Sequence, residues 1–221
     1  MDRLEWIKEK RKMAEERYDT IFSIDYDNKW GYIEEKHKEY LICFLSLISE
    51  GFSILDAGCG TGKYWPIITS KGYNVLGIDQ SQKMLDKLKD KFPSASVKKI
   101  GLQEINYDNN FLGIICIDAM ENVFPEEWLL VLKKFYNALM EKGYLYFTVE
   151  TIDSDEKEYA FKKGIEMGFP ITEGEYAHEG GYHYYPSIKK VVEWLNLLNF
   201  MIVKQDTSEG YVHFIVKKGP L

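Results

Sequence analysis

The segment Asp56-Ala-Gly58-Cys-Gly60-Thr-Gly62 ends a short apolar run, FSILDA, and sets alternating glycines behind an acid. Glycines at the carboxyl end of a buried strand let the backbone approach a ligand closely. A second run, YNVLGID, ends in Asp79, placed to accept hydrogen bonds from a ribose diol. The spacing is GxGxG; in the dinucleotide fingerprint GxGxxG the third glycine would fall at Lys63. This disfavours nicotinamide-dependent oxidation. Two further places carry chemistry. Glu121, in IDAMENVFPEEW, can act as a base, orient an amine, or simply be an acid favoured at a helix N-terminus. EYAHEGGYHYYP, if extended, points His183 and Tyr185 to one face and Tyr182 and Tyr184 to the other, with Gly180-Gly181 allowing a bend. There His183 reads as a base and a tyrosine hydroxyl as a group that orients an acceptor; the alternative is a Tyr-rich strand packed on the next helix. His178, Glu179 and His183 match no common metal-ligand spacing, and no metal is expected.

The elements that position these residues alternate. FSILDA (52–57), YNVLGID (73–79), SVKKI (96–100), LGIICID (112–118) and YLYFTVE (144–150) read as strands. Between them lie helix-like segments: 61–71, SQKMLDKLKDKF with Ser81 as N-cap, and EEWLLVLKKFYNALMEKG, ending at Gly143. Such alternation predicts a parallel sheet with helices on both faces. After the helix SIKKVVEWLNLLNF, the runs FMIVKQD and YVHFIVKK are separated only by 207–210. Strands that close must be antiparallel, because a parallel pair needs a crossover of about a dozen residues. Two segments lie outside the rhythm: a helical N-terminal part over 1–50 and a polar insertion over 151–186.

ILDAGCGTGKY followed by VLGIDQSQKML resembles the first two motifs of the class I methyltransferases that use S-adenosyl-L-methionine. The resemblance covers roughly residues 40–150 by motif and the whole chain by element order. It implies a Rossmann-like α/β fold: a seven-stranded, mostly parallel sheet, the last strand antiparallel, in one domain over 1–221. Residues 1–50 would form a helical lid and 151–186 a cap. It further implies that Gly58 and Gly60 wrap the methionine part of the cofactor with Asp56 near its amino group. Asp79 would hold the ribose and Gln80 lie beside the adenine, with Leu102 and Gln103 bordering it. Asp118 would face the sulfonium end. Tyr18, Tyr26, Trp30 and Tyr32 are spaced like an aromatic lid over the cofactor, and of these Tyr26 and Trp30 are candidate contacts. Many relatives carry an acid where this chain has Leu102, so the adenine amine contact would pass to Gln103 or a backbone carbonyl.

Composition narrows the acceptor. With 28 basic and 35 acidic residues the formal charge is −7, which argues against a partner that must neutralise phosphates. The fourth-strand tip reads Ile117-Asp118-Ala119-Met120, without the Asn/Asp-Pro-Pro-aromatic motif of enzymes that methylate nucleic-acid amines. Cys43, Cys59 and Cys116 form no CxxC pair, so neither a disulfide framework nor a zinc site is expected. MDRLEWIKEKRK lacks a signal-peptide core, and no apolar run approaches the roughly 20 residues of a bilayer span. The expectation is a cytoplasmic enzyme, monomer or homodimer, that methylates N or O of a small molecule. A protein or tRNA methyltransferase and a non-catalytic cofactor-binding module are the competing readings.

Overall fold

Short apolar runs become strands in this chain because both of their faces are covered. The computed structural model describes residues 1–178 and 181–220. Strands β1 (Ser53–Ala57), β2 (Asn74–Asp79), β3 (Ser96–Lys99), β4 (Phe111–Cys116) and β5 (Leu139–Glu150) run parallel. A separate antiparallel hairpin follows, β6 (Glu175–His178) and β7 (Gly181–Tyr184). The last strands, β8 (Phe200–Ser208) and β9 (Tyr211–Lys218), rejoin the main sheet. Its order is β3-β2-β1-β4-β5-β9-β8, with β9 antiparallel to both neighbours. The expected seven-stranded sheet and its single reversed strand are thus present.

Successive residues of the central strands serve opposite layers. Leu55, Ile114, Phe147 and Phe214 belong to one core; Ile54, Ile115, Tyr146 and Ile215 belong to the other. The N-terminal arm consists of α1 (Arg3–Arg17), a π-helical turn (Tyr18–Phe22) and α2 (Ser23–Trp30). α3 (Glu35–Ser46) is not part of that arm's cover. Its Tyr40, Leu41 and Phe44 are fully buried in the second core. α4 (Trp65–Ser70) is shorter than the segment expected at 61–71, because Thr61 and Gly62 remain in the glycine turn. α5 (Gln82–Lys91) starts as expected: Ser81 Oγ accepts from Met84 N at 3.2 Å, and Met84, Leu85 and Leu88 are buried.

α6 (Trp128–Ala138) ends five residues before Gly143. The N–H groups of Asn109 and Asn110 donate to the carbonyls of Asn137 and Ala138 at 2.8 and 2.9 Å, and Leu139 already pairs with Phe111. Sheet pairing therefore takes the carbonyls that a longer helix would have used. In the insertion, α7 (Ser154–Glu166) precedes the hairpin. α8 (Ile188–Leu197), capped by Ser187, turns Val191 and Leu195 into the first core. Among the described residues no helix is long and apolar enough to cross a membrane.

Candidate active site

The carboxyl ends of β1, β2 and β4 converge on one cleft. Gly58 has φ +77°, a left-handed conformation that favours glycine, and its N–H donates to Ile78 O at 2.8 Å. A Cβ on Gly58 would lie 2.6 Å from Ala119 Cβ, so the β1 turn and the β4 tip touch through a gap that only hydrogen fits. Asp79 Oδ2 accepts from Gly60 N at 2.9 Å and Oδ1 from Ser81 N at 2.8 Å. Burial pushes its carboxyl above the usual range, while those N–H groups pull it back.

Two adjoining chambers fill the cleft. The inner one, about 100 Å³, is lined by Gly58, Gly60, Asp79, Gln80, Leu102 and Gln103, with Lys10, Arg11 and Phe124 opposite. The outer one, about 430 Å³, is lined by Glu121, Glu150 and His183 together with lid aromatics including Phe22, Trp30 and Tyr32. Ala14, Tyr18, Tyr26, Asp118, Asn122 and Tyr182 line both and form the passage between them. The sequence-predicted residues thus come together, with three differences. Tyr185 lies on neither wall and touches the site only through its hydroxyl, 3.1 Å from His183 Nδ1. Trp30 faces the outer chamber rather than the inner one. Asp56 lies on neither wall: it is buried behind the glycine turn, where its Oδ2 accepts from Trp65 Nε1 at 2.8 Å. Burial raises the Asp56 carboxyl to about 7.

Asp118 adopts φ +54°, a left-handed conformation uncommon outside glycine. Its N–H donates to Thr148 Oγ1 at 2.9 Å. His37 Nε2 lies 3.0 Å from Oδ1, while Tyr64 Oη and Lys63 Nζ lie 3.1 and 3.5 Å from Oδ2. Burial would raise the Asp118 carboxyl, but His37, Lys63 and Tyr64 together hold it below the usual range. Glu121 has no such partners. Its Oε1 accepts from Asn122 Nδ2 at 2.8 Å, and its buried Oε2 has no hydrogen-bond partner among the described residues. Burial, with Glu150 and Asp118 adding repulsion and His183 opposing, raises the Glu121 carboxyl to about 8.

The cap hairpin alternates as expected. Tyr182 and Tyr184 are buried, and His183 faces the outer chamber with Nδ1 2.6 Å from Glu150 Oε2 and 3.1 Å from Tyr185 Oη. Burial would lower the His183 pKa, but Glu150 and Glu121 outweigh it and raise it. The Tyr182 hydroxyl donates to the buried Glu175 at 2.5 Å, so this ring, not its hydroxyl, faces the chambers. Glu179 and Gly180 lie outside the described residues, as does the His178 side chain; the metal reading and the Gly180 bend rest on them. Among the described residues no cluster of three or more His, Cys, Asp or Glu could hold a metal.

The lid is tied to the site by residues that no motif announced. Asp19 accepts from Ser81 Oγ at 2.5 Å and Lys83 N at 3.1 Å; Asp27 accepts from Thr61 Oγ1 at 2.5 Å and pairs with Lys91 at 2.9 Å. Arg3 bridges Glu126 at 2.7 Å and the cap's Glu175 at 2.8 Å, and Arg11 pairs with Glu127 at 2.6 Å. Lys63, His37 and Glu150 were also missed. Of these only Lys63, directly after Gly62, had a sequence signal.

Residues 54–143 match the family model described as a methyltransferase domain. The sheet order above is a fold that the chain shares with solved structures of S-adenosylmethionine-dependent methyltransferases. It is 28% identical over 149 residues to an uncharacterized protein of Methanocaldococcus jannaschii, covering 63% of this chain and 62% of that one. It is 26% identical over 186 residues to the biotin biosynthesis bifunctional protein BioHC of Teredinibacter turnerae, covering 76% of this chain and 30% of that protein. The chain therefore spans less than two thirds of either curated relative. Among solved structures, the Burkholderia thailandensis 1,6-didemethyltoxoflavin-N1-methyltransferase aligns with a TM-score of 0.71 at 16% identity, over 95% of this chain and 90% of that one. That structure holds 1,6-didemethyltoxoflavin and S-adenosylhomocysteine.

Proposed function

We propose that this protein transfers a methyl group from S-adenosylmethionine to N or O of a small-molecule acceptor. The observation that carries the reading is the pair of chambers joined through Tyr18, Tyr26, Asp118 and Tyr182. The inner chamber has the groups such a donor needs. Gly58 and Gly60 offer backbone, Asp79 offers carboxylate oxygens for ribose hydroxyls, and Gln80, Leu102 and Gln103 offer a bed for the base. S-adenosylmethionine supplies a methyl carbon on a sulfonium, open to in-line displacement. The chain's task is then to hold a nucleophile about 3 Å from that carbon and unprotonated.

The outer chamber suits that task. Its walls come from lid and cap, so an acceptor is enclosed by the same chain, as suits a small molecule. Asp118 is fixed by His37, Tyr64 and Lys63 and would keep a negative charge at the passage, where a sulfonium is favoured. We assign the base role to Glu121 rather than His183. Among the described residues Glu121 Oε2 has no hydrogen-bond partner, whereas His183 Nδ1 is held by Glu150 Oε2 at 2.6 Å. His183 and the ring of Tyr182 would then position the acceptor, with the Tyr185 hydroxyl holding His183 at 3.1 Å. The toxoflavin enzyme, a fold neighbour with a small acceptor, is consistent with this reading.

Two measurements test it. Asp79→Ala is expected to weaken S-adenosylhomocysteine binding at least tenfold in calorimetry, since a hydrogen bond to a charged group contributes about 1.5–3 kcal/mol; unchanged affinity removes Asp79 from the site. A metabolite screen with labelled cofactor is expected to yield a methylated small product. Label found only on protein or RNA would overturn the choice of acceptor.

A further inference from the structure

We propose that the acceptor is an amine that enters as a cation and gives its proton to Glu121. The inference rests on the methyl-transfer reading above and narrows its substrate class. It begins with a charge count on the chamber wall. Four carboxylates line it: Glu34, Asp118, Glu121 and Glu150. Three have basic partners, His37 at 3.4 Å from Glu34, Lys63 at 3.5 Å from Asp118 and His183 at 2.6 Å from Glu150. Among the described residues Glu121 has none in contact, and its buried Oε2 has no hydrogen-bond partner; the residue is only 7% exposed. A buried carboxyl with a free oxygen costs folding energy, and a ligand donor relieves that cost.

The remaining cations do not fill the gap. Arg17 lies 5.0 Å from the centre of the Phe22 ring and Lys29 lies 5.8 Å from that of Trp30, both on the lid arm. The other walls are aromatic: Tyr18, Phe22, Tyr26, Trp30, Tyr32 and Tyr211. Ring faces around a carboxyl form a cation site, and they continue to favour the charge after methylation, when an amine becomes a methylammonium. A neutral ether product would gain nothing from them.

The step balances simply. An N–H bond of the ammonium breaks as an O–H bond forms on Glu121 Oε2. The freed nitrogen lone pair forms the N–C bond to the methyl carbon, and the C–S pair stays on sulfur. The methylated amine leaves as a cation, and Glu121 returns its proton to water. Burial suits Glu121 to this role, since its carboxyl is raised to about 8, nearer the range of an amine than an exposed carboxylate would be. The charged or titratable groups facing it are Asp118, Glu150 and His183, together with Tyr18 and Tyr26 of the lid, Tyr185 of the cap, Cys116 of β4 and Tyr211 of β9.

The test uses the full chain saturated with S-adenosylhomocysteine, and calorimetry with benzylamine, N-methylbenzylamine and benzyl alcohol as probes. Binding of S-adenosylhomocysteine is measured first; its failure would sink the methyl-transfer reading itself. With it bound, both amines are expected to bind at least tenfold more tightly than the alcohol. In buffers of different ionisation enthalpy, amine binding at pH 7 is expected to release close to one proton, because Glu121 is mostly protonated there and an ammonium displaces that proton. Glu121→Gln is expected to keep S-adenosylhomocysteine affinity and lose both the amine preference and the proton release. Three results overturn the proposal: amines that fail to bind while S-adenosylhomocysteine binds, alcohol binding as tightly as amine, or a Gln variant that keeps the proton release.

Discussion

Gly58→Ala probes the contact that joins the cofactor turn to the acceptor side. Two costs add. The residue sits at φ +77°, and an L-residue in the left-handed region costs roughly 1–2 kcal/mol. The new Cβ would also lie 2.6 Å from Ala119 Cβ, whereas carbon atoms rest at about 3.5–4.0 Å. The two segments must part by about 1 Å, and such overpacking costs typically 1–3 kcal/mol. Gly58 cannot retreat freely, because its N–H and that of Cys59 are both held by Ile78 O at 2.8 and 3.0 Å. The expected loss is about 2–5 kcal/mol in urea unfolding. Ala119→Gly alone is expected to cost about 1–2 kcal/mol, from one buried methyl and added chain entropy. The double variant removes the clash and leaves the strain, so the cycle is expected to show about 1–3 kcal/mol of favourable coupling. Because Ala119 follows Asp118, Gly58→Ala is also expected to weaken S-adenosylhomocysteine binding, and Ala119→Gly to restore part of it. Strictly additive stabilities, or a Gly58→Ala variant as stable as the parent, would refute the reasoning.

Other perturbations separate the parts of the site. Asp56 has a carboxyl raised to about 7 by burial, so between about 4 and 7 the folded chain keeps a proton that the unfolded chain has lost. Its contribution to stability therefore falls as pH rises through that window, by at most about 4 kcal/mol. Asp56→Asn is expected to flatten the fall of urea stability from pH 4 to 7 while leaving S-adenosylhomocysteine affinity nearly intact; an unchanged slope would put the proton elsewhere. Arg3→Ala removes the cation that contacts the fully buried Glu175 side chain. The expected cost is about 1–3 kcal/mol, less than for a fully buried pair because Arg3 is partly exposed, with faster proteolysis within residues 1–30. A variant cut no faster than the parent would show that this ion pair does not hold the lid.

The sheet was legible because burial on both faces leaves a simple trace. LGIICID and YLYFTVE are apolar up to their carboxyl ends, and their alternate apolar residues divide cleanly between two cores. The ribose-side residues were legible for a different reason: Gly58, Gly60 and Asp79 need particular backbone freedom or a carboxylate at a strand tip, and few residue types meet that need. Asp56 has the same motif position but a different fate. Trp65, nine residues on, offers an indole N–H that turns its carboxyl inward, and no local pattern reports such a contact. The end of α6 was missed because Asn109 and Asn110, far back in the chain, claim its last carbonyls. His37 escaped notice altogether. It sits on an ordinary amphipathic helix, and its tie to Asp118 spans 81 residues.

Lid and cap act as one cover because a single buried carboxylate joins them. Glu175, at the start of β6, accepts from Arg3 of α1 at 2.8 Å, from the Tyr182 hydroxyl at 2.5 Å, and from Thr172 Oγ1 at 3.0 Å. Tyr182, diagonal to Glu175 across the hairpin, therefore cannot turn its hydroxyl toward the chambers, and its ring becomes wall, packed on Phe124 at 4.2 Å between centres and on Trp6 at 5.7 Å. The next residue, His183, must then face the opposite way, into the outer chamber beside Glu150. Strand alternation thus converts an ion pair made by Arg3 into the placement of an imidazole in the site. Loss of Arg3 releases Glu175, Glu175 releases Tyr182, and the hairpin register that aims His183 loses its anchor. Acceptor binding should accordingly respond to Arg3 more than S-adenosylhomocysteine binding does, since Gly58, Gly60 and Asp79 are held by β1 and β2 and owe nothing to the hairpin.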